Sequence, residues 1–305
     1  MSNTRIRIYL ASIILLLAAV VAWYAVAFMR EASTTESRFD GQRALSDVEQ
    51  QVQFGPRIPG SDAHARALDW MEAELIAAGW QVHRQETMSM GHPIINMVAS
   101  RSDAPPAIIL GAHFDSRLQA DRDAQPQRRT QPTPGANDGA SGVAVLLELA
   151  RSLPHNSVPI TLVFFDAEDN GRIPGWDWIL GSRAFVSSLA SKPEKMILVD
   201  MVGYKYMQIR PEANSDAQLR DSIWATAARL GHAAFFPTQV GGAILDDHVP
   251  FLEAGIPAVD LIGIDYKYWH TSADTPDKLS AQSLQVVGDV LWTWLMDQST
   301  PEPAQ

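Results

Sequence analysis

The sequence predicts an α/β protein, a three-layer αβα sandwich with a mixed, mostly parallel central sheet. Strand-like apolar runs alternate with helical segments through most of the chain, which is the order of a parallel sheet covered by helices. Two runs, Ile108–Leu110 and Ile160–Phe165, lack polar alternation, as strands buried on both faces do. A length of 305 residues is enough for one large domain with a sizeable core.

The individual elements follow from turn and cap signals. Gly55-Pro56 ends the first helix, and Ser61 or Asp62 suits the N-cap of the second, because these side chains accept hydrogen bonds from free backbone amides. We predict helices over 44–54, 62–79, 143–153, 182–189, 217–230 and 281–294. We predict strands over 81–87, 94–100, 107–112, 160–165, 196–199 and 258–262.

The N-terminal region predicts export. The run Ile8–Met29 carries no charge and follows Arg5 and Arg7. A stretch of ~20 apolar residues can cross a bilayer, and arginines on its N-terminal side keep that side in the cytoplasm. We favour an uncleaved membrane anchor with the domain outside the cytoplasm. The alternative is a signal peptide cleaved after Ala27, which gives a secreted or periplasmic product.

The domain organisation follows from these segments. We predict four parts, namely a membrane anchor or signal segment over 1–30, a linker over 31–40, a single catalytic domain over 41–298 and a disordered tail over 299–305. The net charge of −11 argues against a nucleic-acid partner, because the phosphate backbone demands a basic surface. The chain has no cysteine, so a metal must be held by His, Asp or Glu.

Acidic and histidine side chains follow the ends of several predicted strands. His113 follows the third strand, Glu168 and Asp169 follow the fourth, and Asp200 follows the fifth. Asp138 directly precedes a predicted helix. Ligands of open α/β sheets bind beyond the carboxyl ends of the strands, so we expect these side chains to converge on one rim.

The acidic positions, together with Trp269-His270-Thr271, predict a zinc enzyme. Asp138, Asp169 and His270 form a suitable three-ligand set. A fourth position left open for water or substrate distinguishes a catalytic zinc site from a structural one. Glu168 is then the remaining carboxylate, and we expect it to carry protons.

The other histidines have different predicted roles. In His113-Phe114-Asp115, the carboxylate of Asp115 is placed to orient the imidazole, as outer carboxylates do for metal-bound histidines. We interpret His248 as a structural hydrogen-bond partner. The remaining histidines lack a strand-end setting with a carboxylate, and we interpret them as surface residues: His64, His83, His92, His155 and His232. The polar, proline-rich composition of the long segment 117–134 predicts a mobile surface loop, and we expect it also to border the site.

These motifs, in this order, resemble the zinc-dependent exopeptidases of the bacterial leucyl aminopeptidase type and their relatives, the animal-like (type II) glutaminyl cyclases. The resemblance runs from about Gly55 to Leu279. It rests on the segments 111–116, 135–142, 165–169, 181–183, 200–203, 246–251 and 269–271. The resemblance implies a zinc exopeptidase-like fold.

The two branches imply different metal counts. For a two-metal aminopeptidase, the resemblance makes Asp138 a bridging ligand, with His113 and Asp200 completing a possible second metal site. For a cyclase, it implies one zinc on Asp138, Asp169 and His270. We expect one ion, with two as the alternative.

Three features favour a glutaminyl cyclase of the bacterial kind. Trp269 precedes the histidine where aminopeptidases usually carry Tyr, and Asp246 stands where they have a small residue. The longer segment 170–179 carries Trp176 and Trp178, as cyclases carry an aromatic there. Two departures exist. The ligand is Asp169 where animal cyclases have Glu, although bacterial cyclases of this class also show Asp, and Asp274-Thr275 is more aminopeptidase-like.

The cyclase resemblance implies conversion of N-terminal Gln of peptides or proteins to pyroglutamate with release of ammonia. It makes Glu168 and Asp246 catalytic, and it makes Trp269, Trp176 and Trp178 substrate-binding residues. The alternative is a zinc aminopeptidase, in which the same Glu168 deprotonates a water that attacks the first peptide bond. The intact ligand set disfavours a third possibility, an inactive binding domain.

Overall fold

A six-stranded sheet forms the centre of the computed structural model, which describes residues 37–155 and 157–299. Its strands are β1 Gln81–Ser89, β2 His92–Ser100, β3 Ile108–His113, β4 Ile160–Phe165, β5 Lys195–Asp200 and β6 Ala258–Ile262. The helices are α1 Gly41–Gln53, α2 Asp62–Ala77, α3 Ala140–Ser152, α4 Leu180–Ser187, α5 Ala217–Arg229, α6 Val249–Glu253 and α7 Ala281–Gln298.

The sheet is mixed and mostly parallel, as the sequence predicts. The spatial order is β1-β2-β4-β3-β5-β6, in which β3, β4, β5 and β6 run parallel and β1 and β2 form an antiparallel edge. A two-residue turn, Met90-Gly91, joins β1 to β2 with φ values of 51° and 86°. Positive φ at both positions matches the tight hairpin turns that fit the twist of antiparallel strands.

Alternate residues of the central strands pack on opposite faces of the sheet, which gives the three-layer architecture. Leu110, Leu162 and Ile197 belong to the larger core, to which α1, α2, α3, α5 and α7 contribute buried side chains. Ile109 and Val163 belong to a smaller core on the other face, which α4 and α6 cover. This alternation is the period of two expected for strands.

The ends of the elements differ modestly from the predicted ones. Ser61 caps α2 as predicted, because its side chain accepts a hydrogen bond from His64 N. Helices α3 and α4 begin earlier than predicted, α7 extends to Gln298, and the short helix α6 was not predicted. Because α6 spans only one to two turns, it is too short to leave a periodic apolar pattern.

The described chain forms one unit from Arg38 onward. Phe39 is buried against Gly288 of α7, and Asp40 caps α1. The predicted anchor Ile8–Met29 and most of the predicted tail lie outside the described residues. Among the residues that are described, no helix is both long and apolar enough to span a bilayer.

Candidate metal centre and active site

Two triads of potential metal ligands share Asp138. In the first, His113 Nε2 lies 3.1 Å from Asp138 Oδ1 and 3.3 Å from Asp200 Oδ1. In the second, His270 Nε2 lies 2.8 Å from Asp169 Oδ1 and 3.7 Å from Asp138 Oδ2. The sequence therefore identified five residues that the fold brings together from distant parts of the chain.

The ligand atoms of both triads are buried and lack hydrogen-bond partners. Such atoms are His113 Nε2, Asp138 Oδ2, Asp169 Oδ2, Asp200 Oδ1 and His270 Nε2. A buried polar atom without a partner is unfavourable, so a cluster of five calls for a missing partner. Imidazole nitrogens and carboxylate oxygens are ligands that Zn²⁺ accepts, and this donor set fits a zinc ion.

The ends of the strands position most of these ligands. His113 ends β3, and Asp200 ends β5. Residues with left-handed backbone conformation lie in three loops of the site. Ala167 follows β4 with φ of 53°, Met201 follows β5 with φ of 49°, and the ligand His270 itself has φ of 57°. Non-glycine residues adopt this conformation at a cost, and such strain concentrates at functional sites.

Two glycines let Asp138 approach the strands. Gly139 has φ of +89°, and a Cβ there would lie 2.9 Å from His113 Cε1. A Cβ at Gly142 would overlap the carbonyl oxygen of Val199 in β5. Helix α3 therefore begins directly against the sheet, which brings Asp138 between the two histidines.

Asp115 links the two halves of the site. Its Oδ1 lies 3.3 Å from His113 Nδ1 and accepts a hydrogen bond from Glu168 N at 3.1 Å. Its Oδ2 accepts a hydrogen bond from Asp169 N at 3.3 Å. The same carboxylate thus orients an imidazole and fixes the loop that carries the acidic pair.

Asp121 has a similar relation to His270, which sequence reasoning missed. Its Oδ1 lies 3.5 Å from His270 Nδ1, and its two oxygens accept hydrogen bonds from Arg117 at 3.0 and 2.8 Å. Arg117 is fully buried and also donates to the Asp169 carbonyl at 2.7 Å. The segment 117–134 therefore holds ligands in place, whereas its polar composition predicts a mobile surface loop.

Asp274 is a second supporting residue whose role the sequence did not reveal. It accepts hydrogen bonds from the backbone of Asn137 at 2.9 Å and of Asp138 at 3.2 Å, and from Tyr266 Oη at 2.6 Å. Burial, together with the charge of Asp138, raises the pKa of Asp274 to about 7. These hydrogen bonds hold the loop that carries Asp138 in place.

Glu168 and Asp246 are both buried beside the triads. Burial raises the pKa of Glu168 well above its usual range, and the negative charge of Asp246 raises it further. Burial also raises the pKa of Asp246. A buried carboxyl whose pKa is raised by burial and by a second carboxylate suits acid–base chemistry near neutral pH.

A cavity of about 250 Å³ opens onto these groups. Its lining includes Glu168, Asp246, Trp178 and Trp269. Trp178 also stacks on His270, with ring centroids 6.0 Å apart. Trp176 does not line this cavity, because its ring instead stacks on His92 at 3.7 Å.

The interpretation of His64 as a surface residue is wrong. His64 is buried, and its Nε2 lies 2.9 Å from Asp166 Oδ1, which fixes the end of β4. A single histidine on the apolar face of a helix gave no sign of this partner. His248 is also buried, with Nε2 3.3 Å from Glu212 Oε2 and Nδ1 3.7 Å from Asp260 Oδ2, and its role as a structural hydrogen-bond partner stays a prediction.

A mostly parallel αβα sandwich with a His/Asp metal centre at its strand ends defines a zinc-exopeptidase-like enzyme. Comparison with known proteins identifies the group more closely. The chain belongs to peptidase family M28, whose sequence profile matches residues 94–295.

Two solved structures and one curated relative illustrate the similarity. The glutaminyl cyclase of Porphyromonas gingivalis is 36% identical with a TM-score of 0.80, covering 86% of this chain and 99% of that one. A Zn-dependent exopeptidase from Parabacteroides distasonis is 31% identical with a TM-score of 0.79, covering 85% and 98%. The glutaminyl-peptide cyclotransferase-like protein of Bos taurus is 27% identical over 285 residues, covering 79% and 72%.

Proposed function

We propose that this protein is a zinc-dependent glutaminyl-peptide cyclotransferase, which converts N-terminal Gln of peptides or proteins to pyroglutamate and releases ammonia. The observation that carries the proposal is the buried pair of Glu168 and Asp246 at the floor of the metal cavity. The similarity of this chain to bacterial glutaminyl cyclases, over most of both chains, supports the same assignment.

Asp138, Asp169 and His270 would hold the zinc ion. When bound, zinc supplies Lewis acidity that polarises the γ-carbonyl of the substrate Gln. Arg117 and Asp121 keep the imidazole and the loop of Asp169 in place. Because these supports are buried or paired, the ligands need little rearrangement when the ion binds.

Glu168 would accept a proton from the substrate α-amine, whose nitrogen then attacks the γ-carbonyl carbon. The C–N bond to the side-chain amide nitrogen breaks, and the proton leaves with that nitrogen as ammonia. Burial and the charge of Asp246 together keep the pKa of Glu168 high, so that Glu168 can both take and return a proton. Positioned acid–base catalysis of this kind contributes typically ~10²–10⁴-fold.

One zinc ion is sufficient for this reaction. The attack is intramolecular, so no hydrolytic water has to be bound and activated. On the other side of Asp138, His113 and Asp200 would form a proton-bearing network with Asp246, whose charge helps to raise the pKa of Asp200 to about 7. Burial is the larger cause of that shift.

Trp178 and Trp269 would flank the substrate side chain, since both line the cavity beside the metal ligands. Trp176 is placed to support the segment 170–179 from outside, through its stacking on His92. We therefore propose Trp178 and Trp269 as the substrate-contacting pair.

The second candidate function is a two-metal aminopeptidase, which the complete His113–Asp138–Asp200 triad favours. Glutaminyl and leucyl naphthylamides separate the two activities. A cyclase releases ammonia from glutaminyl naphthylamide and leaves the aryl amide bond intact. Release of naphthylamine from the leucyl substrate, without pyroglutamate from the glutaminyl one, would establish the aminopeptidase instead.

A further inference from the structure

The side chains that line the cavity differ in charge and polarity between its floor and its opening. The carboxylates at its floor are buried, whereas the exposed residues at its rim are two arginines and three apolar side chains. The arginines are Arg122 and Arg172, and the apolar residues are Ala243, Leu245 and Ile264. A substrate that enters therefore passes between guanidinium groups and an apolar shelf.

Within the part of the chain that the structure describes, neither rim arginine forms an ion pair with a carboxylate. Other exposed arginines, such as Arg183 and Arg229, pair with carboxylates. Across residues 37–155 and 157–299, no ion pair involves Arg122 or Arg172. Asp and Glu outnumber Lys and Arg by 35 to 24, yet these two guanidiniums, which both line the rim of the cavity, remain available to an acidic ligand.

Arg122 is held in a fixed position relative to the metal ligands. Its Cζ lies 4.1 Å from the centre of the Trp269 ring, and its backbone N donates to the His270 carbonyl at 3.1 Å. A guanidinium stacked on an aromatic face keeps its N–H groups free at the edge. Those donors can form a bidentate pair of hydrogen bonds with a carboxylate.

Arg172 also lies at the rim, in a strained turn. Its φ is +64°, a conformation that side chains with a Cβ rarely adopt. The preceding Gly171 passes so close to the Trp178 ring that a Cβ there would overlap it, and Arg117 binds the Gly171 carbonyl at 3.2 Å. The turn thus keeps a charged side chain at the rim despite its backbone strain.

We propose that the enzyme prefers substrates in which an acidic residue directly follows the N-terminal Gln, with Arg122 and Arg172 binding its carboxylate. This inference rests on the proposed cyclase function, which places the Gln side chain at the floor. The cavity of about 250 Å³ accommodates that residue, and the next side chain then reaches the rim. The apolar shelf contacts the peptide backbone and the stem of the acidic side chain.

A competing role for the arginines is to offset the carboxylates of the floor. In that case their removal changes all substrates alike, because each substrate brings the same Gln and α-amine to the floor. A carboxylate-binding role changes only the discrimination between second residues. The two roles therefore predict different patterns across one peptide series.

The test uses the zinc-loaded protein and three peptides that differ only in the second residue, which is Glu, Gln or Lys. We expect kcat/KM to rank Glu above Gln above Lys, with about a 5-fold span at low salt that shrinks as ionic strength rises. Arg122→Gln and Arg172→Gln should each reduce this span, and the double variant should remove it. Arg229→Gln, which removes an equal charge far from the cavity, should retain the full span.

A binding measurement accompanies the kinetics. The product peptides pyroglutamyl-Glu and pyroglutamyl-Lys amides should compete unequally in the wild type and equally in the double variant. Zinc content and thermal melting of each variant verify that it is folded. Equal kcat/KM for all three peptides, or a uniform loss in the arginine variants, would overturn this inference and leave the cyclase function intact. Absence of ammonia release from every peptide would overturn the cyclase function, and this inference with it.

Discussion

At the scale of single residues, buried ligand atoms without hydrogen-bond partners mark the candidate metal centre. Glu168 and Asp246 are set apart from the ligand triads because neither belongs to one. Burial raises the pKa of both carboxyls, and the charge of Asp246 raises that of Glu168 further, which prepares Glu168 to exchange a proton. The roles proposed for these residues lead to two predictions.

The first prediction concerns the metal ligands. His270→Ala should lower zinc occupancy strongly, since it removes one of three ligands of the proposed ion. His113→Ala should lower zinc occupancy less, because His113 belongs to the triad that we propose as a proton-bearing network rather than a zinc site. Elemental analysis of the purified variants measures both occupancies. Equal losses, from a wild type that holds two ions, would favour the two-metal aminopeptidase.

The second prediction concerns Asp246. Asp246→Asn keeps the size of the side chain but removes its charge, so Glu168 loses the neighbour that raises its pKa. We expect kcat to fall by about 10²-fold while zinc content and KM change little. Steady-state kinetics with a glutaminyl peptide checks this. A variant with wild-type kcat would remove Asp246 from the mechanism.

At the scale of elements, the sequence predicted the strands and their convergence better than the supports of the site. Apolar runs and cap residues are local signals, so six strands and the positions of five ligands could be anticipated. Asp121, Asp274 and His64 could not, because their partners lie in segments remote in sequence and their own surroundings look like ordinary polar loops or helices. Their roles arise only from the folded contacts.

The third prediction concerns the packing of α3 on β5. Gly142→Ala places a methyl group against the Val199 carbonyl, where no flexible side chain can yield. We expect the free energy of unfolding to fall by about 1–3 kcal/mol. Gly242→Ala is the matched control, since nothing lies within 4 Å of its added Cβ. Urea denaturation of both variants measures the difference, and equal stability would show that α3 packs less closely than described.

At the scale of the whole molecule, one domain carries the fold and the complete set of candidate site residues. Every ligand and supporting residue discussed above lies within the unit that begins at Arg38. The sequence that precedes it predicts that this domain is exported.

The fourth prediction is therefore about location. We propose that the uncharged run Ile8–Met29 holds the domain at the membrane on its outer side. The full-length protein should sediment with membranes, and added protease should reach the domain without cell lysis. A soluble exported product that begins at Phe28 would instead establish cleavage after Ala27.

The central claim is zinc-dependent cyclisation of N-terminal Gln, and mass spectrometry of a Gln-initiated peptide tests it most directly. The zinc-loaded protein should remove one ammonia from the peptide and leave every peptide bond intact. The metal-free protein should leave the peptide unchanged, and added zinc should restore the reaction. A peptide shortened by its N-terminal Gln, or ammonia loss that persists after complete metal removal, would contradict the account.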